Sequence, residues 1–339
     1  NPSTPGVAPP AVAFMRGDEI LGYLGTIPVN FWNGETEIPS HWLKGFMVLP
    51  EYQNGPVGAA VLKELLKHVE LSGIMTVAVP ARRLFSSVGY ADCGVLPNYI
   101  STIRPARIAR NLDVAALGLG LPSWLQRGTV LSQRMGVATL AGLLMGVGIA
   151  AWRFVRDGAS ELDVDIGGAL PAADALDGLW LRSRATLRSA AVRNGAFLNW
   201  RYAPAAGSTY EAVAVRERGA GKRLVAIALV RRPNEVTDPR LKGIKVATLS
   251  DILFPTDQPA AGVAAISGAE RIARRMGADA LVCAASHPVL GAALRQRAAF
   301  RIPGNVHLMI RNIDGTPLLP TDRESWWATR GDASSDEVF

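Results

Sequence analysis

Gly45-Phe-Met-Val-Leu-Pro-Glu-Tyr-Gln-Asn-Gly-Pro-Val-Gly-Ala59 reads as a strand, a turn and the opening of a helix. Leu43 to Leu49 is apolar enough for a buried strand, and Pro50 ends it, because proline cannot donate to a sheet ladder. Gln53-Asn54-Gly55 is turn chemistry, and Pro56 suits a helix start, where a missing N–H costs little. Over Ala60 to Leu71, Val61, Leu65, Leu66 and Val69 continue from Val57 at helical spacing, while Lys63, Glu64, Lys67 and Glu70 fill the other side. A small-residue loop that opens a helix aims backbone N–H groups and a positive dipole end at one spot, which suits a phosphate.

This arrangement resembles the acyl-CoA pyrophosphate loop of the GNAT N-acetyltransferase superfamily, in which a strand ending Val-x-Pro leads through Gln/Arg-x-x-Gly-x-Gly/Ala into a helix. Val48, Pro50, Gln53 and Gly58 match. Pro56 departs from the pattern, standing where the family has its first glycine, and it removes one amide donor. The resemblance implies a cofactor site made by Met47, Val48, Gln53, Asn54, Gly55, Val57, Gly58 and Ala59. It also implies acetyl-CoA, or another acyl-CoA, as co-substrate, with the oxyanion near the backbone N–H of Val48.

The 339 residues fit two or three domains, and 49% hydrophobic content excludes a disordered chain. Thirty-six Lys and Arg against 29 Asp and Glu leave a net charge of +7, which favours acidic partners such as a pyrophosphate or an anionic membrane. No interleaving of aromatic and basic residues points to nucleic acid. Cys93 and Cys283 are too few for a disulfide framework and fit a reducing, cytoplasmic compartment. His41, His68, His287 and His307 lack ligand spacing, so no metal is expected.

In chain order, residues 1–10 read as a loose, proline-rich segment. Residues 11–103 read as a first GNAT-like domain that lacks its opening strand and helices. Ala11–Arg16 and Ile20–Val29 are strands around Gly17-Asp18-Glu19, and Asn33-Gly34 is a hairpin turn. The loop strand and its helix follow, then a strand at Ile74–Val79, a short helix at Arg82–Val88, and Gly89-Tyr90 where the family has Gly-Phe. The family's general-acid tyrosine position is occupied by Phe85, which cannot donate a proton. A start at Asn1, almost at the hairpin, reads as a fragment or a processed form.

Residues 104–158 read as a connector. Arg104, Arg107 and Arg110 recur every three residues, which fits a solvated helix face or a peripheral contact with a membrane. Met135–Trp152 runs without a charge and borders on transmembrane length. Two flanking domains that share a cleft must lie on one side of a membrane, so a buried or interfacial helix is expected rather than a span.

Residues 159–315 repeat the order of elements: a strand at Leu162–Ile166, a helix at Asp174–Ala191, strands at Tyr210–Arg216, Leu224–Val230 and Ile244–Leu253, a helix at Gly262–Met276, then strand, helix and strand to Arg311. This second GNAT-like domain has no cofactor loop, and Arg295 holds its tyrosine position. Residues 316–339 read as a tail. The fold class is mixed α/β: two GNAT-like domains, each a mostly antiparallel twisted sheet flanked by helices.

The function this implies is acyl transfer from acyl-CoA to an amine of a small molecule, sugar or peptide. His41 and Glu37, with Glu35, are the candidate general bases. Trp200, Arg201 and Tyr202 are a candidate substrate cluster or, equally, a core anchor. The alternatives are a non-catalytic binding module and a Fem-like aminoacyl transferase, whose helical arm is not visible in this sequence.

Overall fold

The computed structural model describes residues 1–113, 122–157, 162–202, 209–219, 221–233, 243–304, 306–313 and 316–333. The first half begins with β1 (Ala11–Arg16), β2 (Glu19–Trp32) and β3 (Glu37–Val48). The β2–β3 turn is set by Gly34, whose φ of +98° favours glycine, and by the Asn33 side chain, which accepts from the amides of Glu35 and Thr36 at 3.0 and 2.8 Å. Next come α1 (Val57–Leu65), β4 (Ser72–Met75), α2 (Val79–Ser87), β5 (Ala91–Val95) and β6 (Asn98–Thr102). Helix α1 is shorter than its periodicity suggests: Lys67 and His68 bond back three residues, tightening the chain towards β4. The predicted strand at Ile74–Val79 is displaced, because β4 ends at Met75 and Val79 already opens α2.

The connector contains α3 (Pro105–Asn111), α4 (Ser123–Arg134) and α5 (Val137–Asp157). The second half follows as β7 (Leu162–Gly168), α6 (Ala173–Arg184), β8 (Ser189–Ala191), α7 (Gly195–Tyr202), β9 (Tyr210–Glu217), β10 (Leu224–Arg231) and β11 (Val246–Leu253). It closes with α8 (Pro259–Arg275), β12 (Ala280–Ala284), α9 (Pro288–Gln296), β13 (Phe300–Ile302), β14 (His307–Arg311) and β15 (Trp326–Trp327). The helix expected over Asp174–Ala191 stops at Arg184, and its last residues become β8, which pairs with β2 and extends the first sheet.

The two sheets are not two consecutive stretches of chain. The first runs β15-β8-β2-β3-β4-β14-β5, with β1 on β2; the second runs β13-β6-β12-β11-β10-β9-β7. Strand β14, made late, lies between β4 and β5, whereas β6, made early, lies between β12 and β13. Each half thus gives a strand to the interior of the other's sheet. Nearly all neighbours are antiparallel, as expected; β3–β4, β11–β12 and β8–β15 are the parallel pairs.

The largest core lies in the second half, where β10 reads as a near-continuous apolar run and β11 is buried along its whole length, because helices cover the sheet. A second core joins the halves through Phe31, Trp42 and Trp326, whose rings meet at 4.8–6.3 Å. A third sits under α1 and α2 and includes Leu43, Leu62 and Phe85.

Of the buried or interfacial helix expected over Met135–Trp152, the buried form does not hold. Helix α5 rests on α3 along one narrow face, where Gly142 approaches Ala106 so closely that a Cβ would lie 2.6 Å from its Cα. Leu140, Leu143, Leu144, Val147, Phe154 and Val155 are exposed.

Candidate active site

Both sheets open beside the strand that precedes the long helix, but the two openings differ. In the first, β3 pairs with β4 only over His41–Leu43 and Ser72–Ile74. Beyond Leu43, the rest of β3 keeps β2 as its one strand neighbour among the described residues. A bulge at Gly45, φ +72°, sets two steps of β2 against three of β3. The extra residue reverses which amides face outward. Leu49 N–H donates to the carbonyl of Leu21 at 2.9 Å, so by the alternation of an antiparallel ladder Met47 is turned to β2 and Val48 away from it. The Val48 carbonyl accepts from Gln53 Nε2 at 3.2 Å, and its N–H faces the gap between β3 and β4.

The loop then folds back on itself. Pro50–Tyr52 is a single 3₁₀ turn, and Gly55 N–H donates to the Tyr52 carbonyl at 3.0 Å. The first bond of α1 runs from Ala60 N–H to the Pro56 carbonyl at 2.9 Å, which leaves the amides of Val57, Gly58 and Ala59 ahead of the ladder. Pro56, at the N-cap position, has no side chain that could cap this end. Asn54 lies at the exposed crest of the turn. The residues from Met47 to Ala59 singled out in the sequence therefore stand together, and the open strand edge runs into the uncapped helix end.

Gly58 has another role beside this. A Cβ there would lie 3.2 Å from the Phe46 ring and 3.4 Å from Val48, so the missing side chain lets α1 settle on β3. The face of Gly58 that lacks a side chain is turned to protein.

His41 sits at the start of the short β3–β4 pairing, two residues before the strands part beyond Leu43. It lies roughly 20 Å along β3 from Val48 at about 3.3 Å per residue, and its own N–H donates to the Leu71 carbonyl at 3.1 Å. Burial holds its imidazole below the ordinary histidine range. Glu37 is not brought to the loop. The twelve residues of β3 span roughly 35–40 Å at about 3.3 Å each. At that far end Glu37 accepts from Arg184 at 2.8 Å and from the Trp180 indole at 3.2 Å, tying the β2–β3 hairpin to α6. Glu35, in the same hairpin, is equally remote.

Phe85 is fully buried, edge-on to Phe46 and Tyr90. The Tyr90 hydroxyl is spent on Ser72 at 2.6 Å, and burial pushes its pKa upward. Neither ring offers a proton to the gap.

Three features at this opening were not foreseen. Thr76, the residue after β4, has a φ of +62°, unusual for a β-branched side chain, and its Oγ1 is buried without a hydrogen-bond partner among the described residues. Continuing the β4–β14 register sets His307 opposite Thr76; the His307 Nδ1 lies 3.4 Å from both Asp92 and Arg82. Arg16, at the end of β1, lies over the Tyr52 ring at 5.4 Å and adds positive charge beside the loop. No local pattern joins these residues; strand pairing and strand exchange bring them together.

The second opening is filled by the protein itself. β11 and β12 pair only over Val246–Thr248 and Ala280–Val282. Beyond them the C-terminal segment runs between the strands. Gly331 N–H donates to the Ser250 carbonyl at 2.6 Å and the Trp327 indole to the Ile252 carbonyl at 2.8 Å on one side. On the other, Ala328 N–H donates to Ser286 Oγ at 2.7 Å and Ser286 N–H to the Ala328 carbonyl at 3.2 Å. Arg193 locks the plug, donating to Asp251 at 2.9 Å and to Asp332 at 2.6 Å. Tyr202 joins this network through Asp251, whereas Trp200 is exposed and packs on Phe197; Arg201 stacks over the Tyr202 ring. The three residues of the expected substrate cluster thus diverge.

Among the described residues, no three His, Cys, Asp or Glu side chains converge as a metal would need. Both cysteines are buried, and burial raises each thiol to about 12.

No family model and no curated protein matches the sequence. Solved structures do match. The N-myristoyltransferase of Saccharomyces cerevisiae with bound myristoyl-CoA superposes with a TM-score of 0.55 at 10% identity, over 89% of this chain and 69% of that one. A GCN5-related N-acetyltransferase of Anabaena variabilis ATCC 29413 gives 0.51 at 12% identity, over 89% of this chain and 62% of that one. A protein of Enterococcus faecalis V583 described as a probable N-acyltransferase gives 0.51 at 11%, over 90% and 63%. The chain has the GNAT fold, and it spans roughly two thirds of the length of these structures.

Proposed function

We propose that this GNAT-fold chain transfers an acyl group from acyl-CoA to an amine at the first opening, and that the second opening has become structural. The observation that carries the reading is the pairing of an open strand edge, with Val48 N–H turned into the gap, with the three leading amides of α1. One suits a pantetheine arm and a thioester carbonyl; the other suits a pyrophosphate.

In this reading the amine nitrogen attacks the thioester carbonyl. Val48 N–H stabilises the oxyanion, the C–N bond forms, the C–S bond breaks, and the thiolate of CoA leaves. His41, held neutral by burial and set back along β3 from Val48, takes through intervening water the proton that the ammonium must lose. Positioning supplies much of the remaining rate. Acetyl-CoA is the first co-substrate to test, and myristoyl-CoA the second, given the bound ligand of the yeast structure. The acceptor is an amine of a small molecule, sugar or peptide.

A second reading, binding without turnover, draws on Phe85, which leaves the thiolate without a tyrosine donor. Calorimetric titration of both acyl-CoA species into the full chain, followed by assay of CoA release with an amine panel, separates the two. Binding with CoA release supports transfer; binding without release across the panel supports the second reading; no binding at millimolar ligand overturns both.

A further inference from the structure

We propose that α5 and the groove beside it dock this protein on an anionic phospholipid bilayer, with the helix lying in the interface rather than crossing it. Helix α5 is the described helix long and apolar enough to cross a membrane, and almost none of that stretch is buried. Leu140, Leu143, Leu144, Val147, Phe154 and Val155 form its exposed face. Trp124 on α4 and Trp152 on α5 are also exposed, and such rings sit well at a lipid–water boundary. From Leu140 to Val147 the helix carries no polar side chain, so it offers none of the hydrogen bonds that a protein partner's rim would use.

The charge beside it names the partner. A groove of about 720 Å³ between α3, α5 and α8 is lined by Arg104, Arg107, Arg153, Arg271, Arg274 and Arg297, with Glu270 as the one acid in its lining and Asp279 paired with Arg107 at 3.3 Å. Glu270 is held between Arg153 and Arg297, at 2.8 Å from each. Arg271 is exposed at the groove wall. An apolar helix with a cationic trough along its flank matches acyl chains and phosphate headgroups side by side.

Topology excludes a single crossing. The chain leaves the second sheet at the end of β6 and returns to that sheet at β7, so both ends of the excursion belong to one body. Among the described residues no second helix is long enough for a return span: the twelve residues of α4 reach only about 18 Å against a hydrocarbon core of about 30 Å.

The test is co-sedimentation of the full chain with phosphatidylcholine vesicles, with and without phosphatidylglycerol. Wild type is expected to pellet with the anionic vesicles and to be released by salt or an alkaline carbonate wash. Arg271→Glu should weaken anionic binding roughly tenfold or more, since each basic charge near the surface contributes about 1 kcal/mol. Leu143→Asp with Leu144→Asp should abolish it. All these positions are exposed, and circular dichroism confirms the fold of each variant. Wild type left in the supernatant, or an Arg271→Glu protein that binds equally, overturns the proposal. So does resistance to the carbonate wash, which would mark a span. So does a lipid-free dimer that the Leu143→Asp, Leu144→Asp variant dissolves, which would make this face an interface between copies.

Discussion

Gly331 donates its amide to the carbonyl of Ser250 at 2.6 Å, and a Cβ on Gly331 would collide with the Tyr202 hydroxyl. Only a residue without a side chain passes between α7 and β11 here. Gly331→Val should therefore expel the C-terminal plug and strand the buried Arg193 beside Asp251. The expected loss is about 3–5 kcal/mol, the usual cost of overpacking joined to a broken buried ion pair. Chemical denaturation measures it; a loss under about 1 kcal/mol would mean that the segment contributes little to the fold.

His41 gives a pH-dependent prediction. Burial lowers its pKa, so its folded value lies below the unfolded one. The neutral ring is then fully present at neutral pH, and the associated stability is whole above the unfolded value and declines as pH falls through the folded one. If His41 is the base, the acidic limb of kcat/KM should lie below about 6.5. His41→Gln should remove that limb and cost about 10²- to 10⁴-fold in rate. An unchanged limb in the variant would assign the base elsewhere.

Glu37 supplies the contrast. Its ion pair with Arg184 joins hairpin to helix, far from the gap. Glu37→Gln should leave the pH profile intact and reduce stability by about 0.5–1.5 kcal/mol. A collapse of kcat with unchanged stability would contradict this placement.

The loop variants divide along the same lines. Asn54→Ala should leave acyl-CoA affinity nearly unchanged, because the amides bind and the side chain does not. Pro56→Gly restores a donor and should tighten binding. Gly58→Asp would push a carboxylate towards Phe46 and Val48, so it should lower the melting temperature as well as the affinity. Titration calorimetry beside thermal melts distinguishes the two effects; a Gly58→Asp protein that melts like wild type would refute the packing role.

What could be read in the sequence was local. The turn at Asn33-Gly34, the Val-x-Pro ending of β3 and the apolar spacing of α1 each depend on residues close in the chain, and so does the order of elements. The choice of strand neighbour does not. Nothing near Asn98 or His307 says that these strands trade places, because either would bury equally well in either sheet. The bulge at Gly45 decides which amide faces the gap, yet a glycine within an apolar run has many uses. Thr76 carries its signal in a dihedral angle, not in its residue type. Residues 316–333 read as a tail because their partners, Ser250 and Ser286, are tens of residues away.

The exchange of β6 and β14 bears on how the chain is born. When β5 leaves the ribosome, its neighbour β14 is still more than two hundred residues from synthesis. At about 5–20 residues per second, β4 and β5 wait roughly ten to forty seconds with open edges. An unpaired edge recruits any passing strand, including the same strand of a second nascent chain. The order of translation thus makes this protein a natural candidate for swapped dimers and for dependence on a chaperone while it is being made.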